Sequence, residues 1–539
     1  MRFPKSGPIL QTLRTHWRPL LLGSVVLGQG LFGFLVGILL FYRGGAYFLD
    51  AGYYIYTLAS ENFGQQPPTI GDAWGSSLFA THMLLTPLLI SQAFRLIASA
   101  PLNFIMFLGL QHMILASAGA LLMMVSFSLN GVKKEKLWMP GLMGALLLPF
   151  SNVGLGSLLY PHVELIGTSL VAIGILLLAH RWSGADNRWL LVVAVLVIGF
   201  GLLAREDIGV HLVITVGSAV VCSQWKLLNR TSVVRAGSLL LSGLVFMGAL
   251  MGYQRIFAES EGVFALTYSG TPAYAHITSG WYLLERVLHL LASRLDLMVG
   301  IGAFIMAAVV LRKREYLAFP VAVAPWLLLN LTAIDPAKNA MGIYHLFPII
   351  LYATAPVLAL TLTKRRNDSE ELVGRGHIPM YATYGVAILS LFLGGISAPP
   401  TGGGYLFTSV LRLPLISPAG ITATHTAIED FAAIGSRIAV DDAVMSIRPV
   451  DLKDVPLIPT VQDATQVNSI MFFPRYLLGH EGLKKLFVKW IQSNRNITMK
   501  CLPGGLVRAD VGEIQIEPTN QTELGQLYKS LDCHPLPKQ

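Results

Sequence analysis

The stretch Phe41–Phe63, FYRGGAYFLDAGYYIYTLASENF, decides how this chain is read. Just before it, Pro19 to Tyr42 runs without a single charge, long enough for a bilayer span of about 20 residues. Arg43, two glycines and then Asp50 follow, with Tyr47, Tyr53 and Tyr54 around the acid. An ordinary loop acid sits among Gly, Ser and Lys. A carboxylate set among tyrosines just beyond a first span points to chemistry at a membrane face.

The rest of the chain supports the membrane setting. Of 539 residues, 53% are apolar and 13% charged, and the mean hydropathy is +0.59. A soluble enzyme carries about 25% charged residues. The apolar runs are continuous rather than alternating, which favours helices over a β-barrel. The sequence therefore predicts an all-α polytopic membrane protein. The basic head before Pro19 precedes a run too long for a signal-peptide core, so it reads as a retained first helix. The net charge of +9 does not indicate nucleic acid, because the basic residues sit in short connections between spans.

Eleven spans are expected, near 19–42, 102–128, 138–160, 163–181, 189–204, 207–223, 234–252, 297–311, 316–333, 343–363 and 379–396. Alternate connections hold 19 and 7 Lys plus Arg. The richer set is assigned to the cytoplasm. The N-terminus is then inside and the C-terminal tail outside. Asp50 and His82, His162 and Glu164, Arg205-Glu206-Asp207, Arg286 and Arg294, and His345 all fall on the outer side near span ends. Ionisable residues so placed usually line a site. Each also has a plainer reading as a polar residue that ends a helix. For Arg205-Glu206-Asp207 that reading is a salt-bridged helix start, with acids favoured at a helix N-terminus.

The external connection 43–101 is long for a simple loop. Within it, THMLLTPLLISQAFRLIASA (81–100) places Leu84, Leu85, Leu88, Leu89 and Ile97 near one face, so an amphipathic helix lying on the membrane is expected. After the last span, SAPPTGGG marks a linker at 398–404. Residues 405–539 have soluble-protein composition, with strands expected at SRIAVDDAV (436–444) and GEIQIEP (512–518) and a helix at GLKKLFVKWIQ (482–492). A small extracytoplasmic α/β domain follows from this, beside a transmembrane domain of 1–397. Cys501 and Cys533 lie in the tail. An oxidising compartment would join them; the alternative is two buried thiols. Metal-ligand spacing is absent, although acidic groups on the outer face leave room for a divalent cation.

Taken in order, DAGYYIYTLA, THMLLTPLL, LQHMILASAGALLM, YPHVELIGTSLVA, LLAREDIGV and IYHLFPIILYATAPVLA resemble the prokaryotic membrane-protein family called "domain of unknown function 2079". The likeness covers about residues 40–360. Two departures are His162-Val163-Glu164, which lacks the family's proline, and His345, followed by Leu346 where the family tends to have Tyr. That family resembles the GT-C glycosyltransferases in architecture. The resemblance implies a bacterial inner (cytoplasmic) membrane enzyme of the cell envelope. It would move a hexosyl or pentosyl group from a polyprenyl-phosphate-linked sugar to a glycan, lipid or protein acceptor, among membrane lipids and without nucleic acid. Asp50 would be the catalytic base. Arg205, His345, Arg43, Arg286 or Arg294 would hold the donor phosphate, since a guanidinium matches two phosphate oxygens. His82, His162, Glu164, Glu206, Asp207, Tyr53 and Tyr54 would bind substrate or support the site. The competing expectations are a transporter or a lipid or glycan flippase, and a non-catalytic envelope assembly protein.

Overall fold

The computed structural model describes residues 8–42, 54–59, 84–159, 163–184, 187–257, 284, 287–288, 295–332 and 348–363. Toward the C-terminus it describes 420, 422–423, 426–427, 438–440, 469–472, 496–502 and 506–515. The helices are α1 (Pro8–Tyr42), α2 (Leu85–Arg95), α3 (Leu102–Leu129), α4 (Trp138–Leu147), α5 (Asn152–Leu159), α6 (Leu165–Trp182), α7 (Arg188–Leu202) and α8 (Ile208–Cys222). They continue with α9 (Arg230–Phe257), α10 (Leu295–Val310), α11 (Ala318–Thr332), α12 (Ile349–Tyr352) and α13 (Ala355–Thr363), and a short π-helical turn covers Ile55–Ala59.

Helical segments fall within the first ten expected spans, and the stretch 379–396 lies outside the described residues. Four segments are long and apolar enough to cross a membrane: Trp17–Phe41, Leu102–Leu129, Leu165–Trp182 and Arg230–Tyr253.

Two expected spans are interrupted, and proline accounts for both. Between α4 and α5, Pro149 cannot donate a helical hydrogen bond. The chain restarts at Ser151, whose hydroxyl accepts from the Gly154 amide at 3.4 Å. Between α12 and α13 the turn at Ala353-Thr354 precedes Pro356, which fits the first turn of the new helix. A different device ends α3. Gly131 takes φ of 84°, which lets the Val132 amide reach the Phe127 carbonyl at 3.1 Å.

Glycine sets the spacing between neighbouring helices. A Cβ on Gly119 of α3 would lie 2.5 Å from the Gly144 carbonyl oxygen of α4. One on Gly201 of α7 would lie 2.7 Å from the Gly167 oxygen of α6, and one on Gly209 of α8 equally close to the Gly243 oxygen of α9. In a membrane, helices gain little from hiding apolar surface from one another, so close backbone approach and dispersion hold them together. The largest fully buried side chains include Phe104, Phe107, Phe127, Tyr316 and Tyr352.

The helix expected on the membrane surface exists as α2, but its leucines divide. Leu84 and Leu88 are buried against the bundle, while Leu89, Leu96 and Ile97 are exposed. Polar anchors explain the inward turn. The amides of Leu85 and Thr86 donate to the Leu203 carbonyl at 3.1 and 3.3 Å, and Gln92 donates to the Leu58 carbonyl at 2.9 Å.

Near the C-terminus, β1 (Ile438–Val440), β2 (Ser469–Phe472), β3 (Asn496–Leu502) and β4 (Leu506–Gln515) form one sheet in the order β1-β2-β4-β3. β1 pairs parallel with β2, and β4 pairs antiparallel with both β2 and β3. Met471 and Val507 are fully buried. The expected strands at 436–444 and 512–518 coincide with β1 and the end of β4. The expected helix at 482–492, the 398–404 linker, Cys533 and the Cys501 side chain lie outside the described residues. Cys222 is a buried free thiol.

Candidate functional site

Glu164 stands immediately before α6 and Asp207 immediately before α8. A carboxylate is favoured there by the positive end of the helix dipole, and both helices begin at the same end of the bundle. Arg205 lies in the turn that leads from α7 into α8. The Gly167–Gly201 crossing lies one turn further in and brings that turn against the start of α6. One Arg205 terminal nitrogen then donates to Glu164 Oε1 at 2.7 Å, and its Nε lies 3.3 Å from Asp207 Oδ2. Arg205, Glu164 and Glu206 are all buried.

The network extends in both directions. Tyr54 opens the π-helical turn four residues after Asp50, and its hydroxyl donates to Glu164 Oε1 at 3.3 Å. Its ring stacks on Phe104 at 6.4 Å. The turn is also held at its far end, where Asn103 donates to the Ala59 carbonyl at 2.7 Å. On the other side, His211 Nε2 lies 4.0 Å from Asp207 Oδ2. His211 Nδ1 and the Tyr352 hydroxyl share a hydrogen bond of 2.7 Å. A chain of six polar side chains thus runs from Tyr54 through Glu164, Arg205, Asp207 and His211 to Tyr352.

The arrangement unites Tyr54, Glu164, Arg205 and Asp207 from three separate connections, with Glu206 buried beside them. Asp50, Arg43, Tyr53, His82, His162, Arg286, Arg294 and His345 lie outside the described residues. His211 and Tyr352 were not anticipated. His211 was detectable as the residue four after Asp207, on the same helix face. Tyr352 carries no local signal, because it is a single hydroxyl in an apolar run.

Chemically, one guanidinium is shared by two carboxylates, so the cluster is net acidic, as a salt-bridged helix start would be. Arg205 binds the frame of the site. To meet a phosphate it would have to give up a buried carboxylate, and breaking such a pair costs about 3–5 kcal/mol. Among the described residues no cluster of His, Cys, Asp and Glu could hold a metal ion.

A separate small apolar cavity of about 50 Å³ is lined by Gly119, Leu148, Val153, Phe304, Ile349 and Ala353, among others. It touches both helix interruptions. Ile349, Ile350 and Ala353 of the α12 segment face it, while Tyr352 turns instead to His211.

Compared with models of protein families and with curated proteins, the chain matches none.

Proposed function

We propose that this chain is an integral membrane glycosyltransferase with about eleven crossings. It moves a sugar from a polyprenyl-phosphate donor to an acceptor hydroxyl on the extracytoplasmic side, where the ion network lies. The observation that carries the reading is the anchoring of Tyr54 to Glu164. It ties the segment bearing Asp50 to the helix ends that the loop charges assign to the outside.

In the reaction, the Asp50 carboxylate takes the proton of the acceptor hydroxyl as its oxygen bonds to the anomeric carbon. The bond from that carbon to the phosphate oxygen breaks, and polyprenyl phosphate leaves. Arg205 serves as a positioning residue, held by Glu164 and Asp207. The donor phosphate falls to Arg43, Arg286, Arg294 or His345.

The test is sugar transfer by the purified protein in lipid nanodiscs, supplied in turn with polyprenyl-phosphate hexoses and pentoses. Asp50→Asn should lower turnover at least about 100-fold without changing thermal stability. Full activity in that variant would remove Asp50 from the mechanism, and no turnover with any such donor would end the glycosyltransferase reading.

A lipid or glycan flippase is the second reading. It is favoured by the two interrupted helices beside the cavity and by Gln111 and His112, buried in mid-α3 with no hydrogen-bond partner among the described residues. Polar groups inside spans mark transport pathways in many carriers. Movement of labelled lipid across proteoliposomes without any sugar transfer would select it.

A further inference from the structure

Among the described residues, the end of the bundle opposite the ion network gathers basic side chains. Trp182 is the last residue of α6. The guanidinium of Arg235, from the second turn of α9, lies over its ring at 4.9 Å. Beside it, Arg181 Nε donates to the Asn187 carbonyl at 3.2 Å, which sets that side chain across the turn into α7. The two arginines lie within electrostatic reach of each other, and Lys134 stands in the same relation to His180 on the same helix end. Among the described residues no carboxylate pairs with Arg181 or Arg235; the ion pairs belong to the opposite end.

Two like charges held together without an acid raise each other's energy, and an anion between them lowers it. Arg235 is positioned by its aromatic platform rather than by an ion pair, so its planar fork of donors keeps its match to two phosphate oxygens. The level is also telling. α6 and α9 both have membrane-crossing length, and the cluster sits at their ends, with Trp189 and Trp225 exposed at the same end. Tryptophans at helix ends mark the headgroup layer. Basic pockets between helices at that level take anionic headgroups.

We propose that Arg181 and Arg235, seated on Trp182, bind the phosphodiester headgroup of an anionic phospholipid. The site is independent of whatever reaction the opposite end performs.

The test uses the purified full-length protein in nanodiscs of phosphatidylcholine alone or with added phosphatidylglycerol. Thermal stability and retained lipid, measured by native mass spectrometry, are the readouts. Phosphatidylglycerol should stabilise the wild type and remain bound to it. Arg181→Gln with Arg235→Gln should weaken retention about 30-fold, from the contribution of two basic residues at the surface. Lys136→Gln with Lys226→Gln, an equal charge loss at the same end on exposed residues, should change little. If the double variant does not fold, Arg235→Lys replaces it. That variant keeps the charge but loses the fork, and it should show a partial loss. Equal retention by wild type and variants overturns the proposal. Inorganic phosphate giving the same protection in phosphatidylcholine alone overturns the lipid source in favour of a free-anion site.

Discussion

Replacing Glu164 by Gln keeps the shape of the side chain but removes the charge opposite Arg205. The nitrogen–oxygen separation is 2.7 Å, which puts the charge centres about 4 Å apart. At an effective dielectric constant of about 20 their attraction is about 4 kcal/mol. The side chains are only 10% and 3% exposed, so solvent screens little of it. Asp207 still faces the guanidinium at 3.3 Å, and the new amide can still accept a hydrogen bond. The expected loss for Glu164→Gln is therefore about 2 kcal/mol. Arg205→Met should cost more, about 3–5 kcal/mol, because it leaves the buried Glu164 and the half-buried Asp207 without their guanidinium. In the double variant the cost should fall below the sum of the singles, with a coupling of about 2 kcal/mol. The assay is reversible unfolding of the purified protein in mixed detergent micelles, completed as a double-mutant cycle. Additivity within about 0.5 kcal/mol would refute the idea that this pair holds the site together.

Gly167→Val should push α6 from α7 and separate Glu164 from Arg205, lowering stability by about 1–3 kcal/mol; its unfolding curve, compared with that of Glu164→Gln, checks this. Gly144→Ala should destabilise to a similar degree at the α3–α4 crossing, measured the same way. His211→Phe removes the partner of the buried Tyr352 hydroxyl and should cost about 1–3 kcal/mol; combining it with Tyr352→Phe should recover part of the loss. For the orientation, Lys133→Cys and Ser99→Cys are both at exposed positions. An impermeant thiol reagent on intact cells should label the second and spare the first, and the opposite pattern would invert the assignment of the two faces.

The helical segments were legible because continuous apolar runs leave few alternatives inside a bilayer. The interruptions at Pro149 and near Pro356 were also written in the sequence, but hydropathy averages across a break and merges two short helices into one span. The Arg205-Glu206-Asp207 string announced an ion pair at a helix start. It did not announce that Glu164, 41 residues away, would be the nearer acid. That depends on the Gly167–Gly201 crossing, a contact between two backbones with no local signature. The division of the α2 leucines escaped for a related reason. Periodicity shows that Leu84 and Leu88 share a face, but only the Leu203 and Leu58 carbonyls decide which way that face turns. In the C-terminal region, β1 and only the last residues of β4 were visible in the sequence pattern. β2 and β3 became recognisable through pairing.

The hydrogen bonds from the Leu85 and Thr86 amides to the Leu203 carbonyl impose an order on biogenesis. While the ribosome is still synthesising the chain, α2 has emerged long before its acceptor exists. The same holds for Tyr54, which must wait for Glu164. The π-helical turn and α2 therefore spend the time needed to make α3 through α7 without their final fastenings. They can lock only once that later hairpin has left the translocon. A chaperone or insertase that lingers on the nascent protein would have its longest opportunity at these segments, and a truncation ending before Leu203 should leave α2 open to protease.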